Sequence, residues 1–107
     1  MTKLVEGRVR NRENWRSSFS LTSSQISLAL AGAWFRQGNL EEAERENRNA
    51  LKSRPDYGQA HNNLAVIYMM TGRFPEARAA VEKAEKAGLA VNPKFKEELE
   101  RRASAAP

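Results

Sequence analysis

His61, Asp56, Arg36 and the pair Asn62-Asn63 are the residues best equipped for chemistry, and their setting speaks for binding rather than catalysis. A general base or a metal site needs a second strong group beside the histidine. The chain has one histidine, one aspartate and no cysteine, so no Ser-His-Asp, Cys-His or multi-ligand metal set can be assembled. No glycine-rich phosphate loop occurs. Asp56 precedes a helical pattern, where an aspartate is expected as a cap. His61 is expected to serve packing. Glu41, Glu42, Glu44 and Glu46 alternate with Arg45 and Arg48, the pattern of a solvated helix face with ion pairs at i, i+3 and i, i+4. No enzyme activity, metal or cofactor is therefore expected. Asn62, Asn63 and Arg36 are suited to recognition: amides both donate and accept hydrogen bonds, and a guanidinium holds a carboxylate.

The elements that position these residues are helices. Thr22-Ser-Ser-Gln25 is a capping box, with Leu21 and Ile26 placed as its hydrophobic staple. It predicts a first helix from about Ser23 to Gln37, ended by Gly38. Asn39 then caps a second helix with Glu41 and Glu42 in its first turn, running to about Arg54 before Pro55. Asp56, with Gln59 three residues on, is read as opening a third helix that ends at Gly72. Pro75 suits the first turn of a fourth, closed by Gly88, and Asn92-Pro93 begins a fifth, on which Phe95 and Leu99 form an i, i+4 stripe. Connections of two to four residues make successive helices antiparallel.

These helices recur with a period of 34 residues. Leu30-Ala31 meets Leu64-Ala65, Trp34 meets Tyr68, Gly38 meets Gly72, Leu40 meets Phe74, Glu42-Ala43 meets Glu76-Ala77, and Ala50 meets Ala84. A glycine and an aromatic that stay in register with the alanines separate a true repeat from two unrelated helical stretches. Large-small pairing of Leu30-Ala31, Trp34, Gly38, Leu40, Ala43, Ala50 and Pro55, echoed by Leu64-Ala65, Tyr68, Gly72, Phe74, Ala77 and Ala84, resembles the tetratricopeptide-repeat family.

The resemblance implies an all-α fold of two antiparallel helix-turn-helix units in a short right-handed superhelical solenoid with a capping helix. Its divisions would be a basic N-terminal arm over 1–21, repeats over 22–91 (about 24–57 and 58–91), and a capping helix and tail over 92–107. Three positions depart from the family pattern. Ser27 stands where a large residue is expected, Asn47 where an aromatic is expected, and Leu89 where a proline is expected, with Pro93 four residues later. The last departure implies an extra turn or a longer connection before the capping helix. The first two leave the first repeat under-filled, and Trp15 and Phe19 are the upstream residues able to contact it.

At 100° per residue, Ile26, Leu30, Ala33 and Trp34 share one face of the first helix and Leu28 and Phe35 lie nearly opposite. On the third helix Ala60, Leu64, Ile67 and Tyr68 form the packing face, with Val66, Met69 and Met70 across from it. A surface helix is ordinarily polar there. In the resembled family this second face lines a concave groove that holds a segment of another protein. Carried over by position, the resemblance implies a groove of Gln25, Leu28, Gly32, Phe35 and Arg36 with Gln59, Asn62, Asn63, Val66, Met69 and Met70. Gly32 would allow close approach and the methionines would adapt to varied side chains. The family's carboxylate clamp is not expected, because Leu28 and Gly32 occupy its Lys and Asn positions and only Asn63 matches.

The implied function is a protein-interaction module or adaptor. Two repeats make a shallow groove, so the alternatives are that the arm from Leu4 to Phe19 fills it, or that the arm staples two copies into a homodimer. The net charge of +5 is concentrated in that arm, where Lys3, Arg8, Arg10, Arg12 and Arg16 face only Glu6 and Glu13. A third reading is contact with nucleic acid or an anionic membrane surface. Only Trp15 interleaves with those arginines, and no nucleic-acid partner is expected. The apolar run Leu28–Phe35 is too short to span a bilayer, and with no secretory pattern at the N-terminus the chain reads as cytoplasmic.

Overall fold

The computed structural model describes residues 21–107, so Trp15, Phe19 and the rest of the arm lie outside the described residues. The described chain is helical throughout: α1 (Ser23–Arg36), α2 (Leu40–Ser53), α3 (Gly58–Met70), α4 (Phe74–Lys86) and α5 (Pro93–Ala105). Helix α1 pairs with α2 and α3 with α4; α2 and α3 join the two pairs, and α5 closes against α4. This is an all-α helical repeat. No described helix is long and apolar enough to cross a membrane.

Local signals account for the helix ends. The Thr22 hydroxyl accepts from the Gln25 backbone N–H, and the Gln25 side chain accepts from the Thr22 N–H, completing the capping box. The Asn39 side chain accepts from the Glu42 N–H, and Asn92 does the same for Lys94 at the start of α5. Asp56 does not cap α3. The helix starts at Gly58, so the capping position falls to Tyr57, and the exposed Asp56 carboxylate instead pairs loosely with Arg54 at 3.7 Å. Burial of the Tyr57 ring against Ala50 and Ala60 fixes this start, with the Arg54 guanidinium 4.4 Å from the ring centre.

Each pair turns on one device. Gly38 has φ of 80°, its N–H reaches the Phe35 carbonyl, and the Asn39 N–H reaches back to Trp34. Gly72 repeats this with φ of 77°, bonding to Met69 while Arg73 bonds to Tyr68. Both are Schellman endings, which need a left-handed residue at that point. The connection between α4 and α5 is longer, residues 87–92, and buries Val91 in the core. Helix α4 gains no extra turn.

Packing follows from small residues. Ala31, Ala43, Ala50, Ala60, Ala65, Ala77 and Ala84 expose at most 1% of their surface, so the paired backbones approach closely. Leu64, Tyr68, Val81 and Leu99 fill the wedges this leaves. Half-buried Leu51 touches both clusters of the core and links the two helix pairs. The expected packing face of α1 is only partly used. Ala33 and Trp34 are half-buried, but Ile26 and Leu30 are nearly half exposed, because α1 meets its neighbours through the side carrying Ser24 and Ala31. Leu21 and Ile26 are likewise too exposed to form a closed staple.

Polar links tie successive elements together. Glu44 pairs with Arg48 one turn on and with Arg73 from the α3–α4 turn. Arg73 stacks 4.7 Å from the Tyr68 ring centre, and Arg48 donates to the Tyr68 hydroxyl. Of the acidic run on α2, Glu46 is an exception to the solvated reading: it is buried and accepts from the Asn49 side chain. Arg78–Glu100 and Lys96–Glu85 bind α5 to α4, each at 2.8 Å. Hydrogen bonding to Arg73 holds the Glu44 carboxyl below its ordinary value of 4.5, against the opposing effect of partial burial. Glu98 is lowered to about 2 by hydrogen bonds from Arg101 and then Arg102, and Glu100 is lowered by Arg78.

Two outcomes follow. An added Cβ at Gly72 would meet nothing within 4 Å, so Gly72→Ala isolates the cost of a left-handed backbone. It should lower the unfolding free energy by about 1–2 kcal/mol in a urea titration, with the slope of the transition unchanged. The lowered carboxylates stabilise the fold above their unfolded-state pKa and lose that effect as pH falls through their folded values. The thermal midpoint should therefore drop between roughly pH 5 and pH 2, and Glu44→Gln should flatten part of the drop. A midpoint insensitive to pH over that window would show that these pairs contribute nothing.

Candidate functional site

A cavity of about 220 Å³ opens between α1 and α3. Ala31 and Ile67, both almost fully buried, line its deep side. The 34-residue offset between the first helices of the two pairs brings their matching faces side by side. Gly32, Phe35 and Arg36 come from α1 and Asn63 and Val66 from α3. Five of the groove positions expected from sequence thus line one hollow.

Asn47 of α2 is the lining residue that sequence reasoning did not place there. It is 1% exposed, donates from its side-chain amide to the Ala43 carbonyl at 2.9 Å, and accepts from the Asn63 amide at 3.2 Å. An aromatic at this position would fill the space with apolar surface. Asparagine instead leaves room and orients Asn63, whose remaining donor and acceptor capacity is available to a ligand. In the sequence its only signal is the departure from the repeat pattern, which by itself implies a packing deficit.

Arg36 supplies the single formal charge of the lining. Its guanidinium lies beside Gly32, with one nitrogen 3.4 Å from where a Gly32 Cβ would sit. It makes no salt bridge among the described residues. Phe35, 37% exposed, adds an aromatic surface beside it. The hollow therefore offers one cation, one oriented amide pair and apolar walls.

Other expected groove residues go elsewhere. Met69 is buried in the core with Leu64, Tyr68 and Ala77, because α4 packs against α3 and covers it. Leu28 is half-buried against Ala50, Tyr57 and Ala60. Gln25 is engaged in the capping box, and with Gln59 it lines a separate shallow hollow near Gly58 and Gly88. Asn62 is half-buried and Met70 is exposed, both outside this cavity. His61 bonds through Nε2 to the Pro55 carbonyl at 2.9 Å. Among the described residues no group of three or more His, Cys, Asp or Glu is placed to hold a metal ion.

No curated protein and no solved structure gave a significant match to the chain. A family model for the tetratricopeptide repeat matches residues 28–90, from within α1 to the end of the second helix pair. That match covers more than half of the chain and coincides with the helices that recur every 34 residues and turn on matching glycines, so the chain belongs to the tetratricopeptide-repeat family.

Proposed function

We propose that this chain is a non-catalytic adaptor module that holds an extended segment of a partner protein in the hollow between α1 and α3. Repeats of this family generally mediate protein–protein interaction. The observation that carries the reading here is the bond from half-buried Asn63 to buried Asn47, in a hollow also lined by Phe35, Val66 and Arg36. Such an arrangement hydrogen-bonds a peptide main chain, takes one apolar side chain and places an acidic one against Arg36. Methionine at position 70, half exposed beyond the cavity, extends the apolar contact along α3. In this reading residues 22–91 are the binding unit of two repeats and residues 92–107 cap it. No cofactor takes part.

Selection of peptides from a random display library against the intact chain tests this. The recovered sequences should combine an apolar residue with an acidic one. Phe35→Ala should weaken a selected peptide by roughly tenfold, the cost of truncating an aromatic contact. Arg36→Glu should weaken acidic peptides by at least about as much and reverse the sign of their salt dependence, since salt then screens a repulsion. Circular dichroism should be unchanged in both, since the two side chains stand at the surface. Affinities unaltered by both substitutions would remove the groove from the mechanism.

A further inference from the structure

The two repeats are not equally covered. On α3, Ala60, Leu64, Ile67 and Tyr68 are between 0% and 8% exposed, and α2 lies over them: Ala50 against Ala60, Leu51 against the Leu64 cluster, and Arg48 on the Tyr68 hydroxyl. Thirty-four residues earlier the same positions on α1 are Ile26, Leu30, Ala33 and Trp34. Ile26 is 47% exposed and Leu30 46%, with Leu21 beside them at 58%. Among the described residues no helix lies where α2 lies for α3. The repeat geometry thus shows what kind of cover is missing: one element running antiparallel to α1 with apolar side chains facing it.

We propose that the chain's own N-terminal segment supplies this cover, with Trp15 and Phe19 laid over Ile26 and Leu30. Residues 1–20 join α1 through Leu21 and Thr22 alone, at the end of the very face that is open. Thr22 has extended backbone (φ −75°, ψ 163°), so α1 begins only after it. Such a short tether makes docking intramolecular, at an effective concentration a separate chain does not match. Length suffices as well, since α2 covers α3 with 14 residues.

The side-chain chemistry fits. Trp15 and Phe19, four positions apart as Ile26 and Leu30 are, offer two large apolar side chains to a stripe of two large apolar side chains. Ile26, Leu30, Ala33 and Trp34 carry no charge, so nothing on the stripe opposes the arginines of the segment, which are left to solvent. The segment is not a copy of α2, however. The positions 34 residues before Arg48 and Leu51 are Asn14 and Ser17, so the aromatics act from beside the repeat's own register. A second copy of the chain is the weaker occupant. Two facing stripes of one 14-residue helix each bury far less than the roughly 1,200 Å² of a stable pair. With the segment on this outer face, the hollow between α1 and α3 stays open for its ligand.

The chain has two tryptophans, so Trp34→Phe leaves Trp15 as the sole reporter. In the full-length variant its emission should be blue-shifted and its acrylamide quenching several-fold below that of a free tryptophan, unchanged over a hundredfold dilution. Adding Leu30→Glu should restore solvent-like emission and quenching. Solvent-like emission without Leu30→Glu overturns the proposal. So does shielding that vanishes on dilution, which would make the occupant a second copy. Shielding indifferent to Leu30→Glu but lost with Phe35→Ala would place the segment in the groove, also against the proposal. A measurement that keeps Trp34 guards against misfolding of that variant. In the chain carrying Trp15→Ala and Phe19→Ala, amide exchange in α1 should speed by about tenfold while α4 is unaffected; unaltered protection of α1 overturns the proposal.

Discussion

How closely two helices can approach one another is the constraint on which the rest of this molecule depends. Among the described residues alanines make up half of the buried apolar core, and Ile67 and Asn47 are the largest side chains that are fully buried. Alanines at Ala31, Ala43, Ala65 and Ala77 stand where the paired helices meet, and each lacks the bulk that would hold the axes apart. Close approach multiplies weak dispersion contacts between backbones, so that small residues give a dense interior. It also explains the turns. Helices packed this tightly must be joined by very short connections, and Gly38 and Gly72 reverse the chain within one residue of left-handed backbone.

The same constraint produces the hollow. Close packing within each pair sets the first helices of successive pairs side by side, and what fills the angle between them is decided by single residues. Asn47 stands at that point in place of an aromatic. The exchange sacrifices apolar burial, and its buried amide is satisfied by Ala43 and Asn63, so it adds no orphaned polar atom. The cavity and the orientation of Asn63 are two results of one substitution. Glu44, Arg48, Arg73 and Tyr68 link the same elements at another point, holding the angle between repeats with directional contacts where alanines alone would let it vary.

Much of the fold was legible because its signals are local. The Thr22–Gln25 box, Asn39, Gly38 and Gly72 each specify a helix end through atoms within a few residues, and the 34-residue period specifies that the units repeat. Errors arose where the outcome depends on a distant neighbour. Asp56 has the composition of a cap, but Tyr57 is drawn into the core by Ala50 and Ala60 and moves the helix start past it. Met69 lies on an apolar face that periodicity sees, yet periodicity along one helix is blind to the α4 packing that buries it. Ile26 and Leu30 show the limit most clearly. Their spacing identifies a face made to be covered, while the identity of the cover lies outside the helix. For the site, five lining positions followed from the repeat register, and Asn47 did not, since its effect needs Asn63 across the interface to be seen.

A solenoid this short has two ends for two repeats, so the ends weigh as heavily as the middle. The C-terminal end is closed in a way that can be read contact by contact: Leu99 is buried beside Val81 and Ala84, Val91 is folded under the connection, and Arg78–Glu100 and Lys96–Glu85 rim the joint with charge. The outward side of α5 is then lined by charged residues such as Lys94, Glu97 and Arg101, a surface suited to water. At the other end α1 presents Leu21, Ile26 and Leu30 instead. If stacking repeats were the only requirement, both ends would need the same treatment. Among the described residues the two ends therefore differ, one closed by a charged helix and the other presenting apolar side chains. The helix left half-covered is also the one that supplies Phe35 and Arg36 to the hollow. One short helix thus carries both an apolar outer face and part of the hollow's lining, so packing on either face bears on the position of the other.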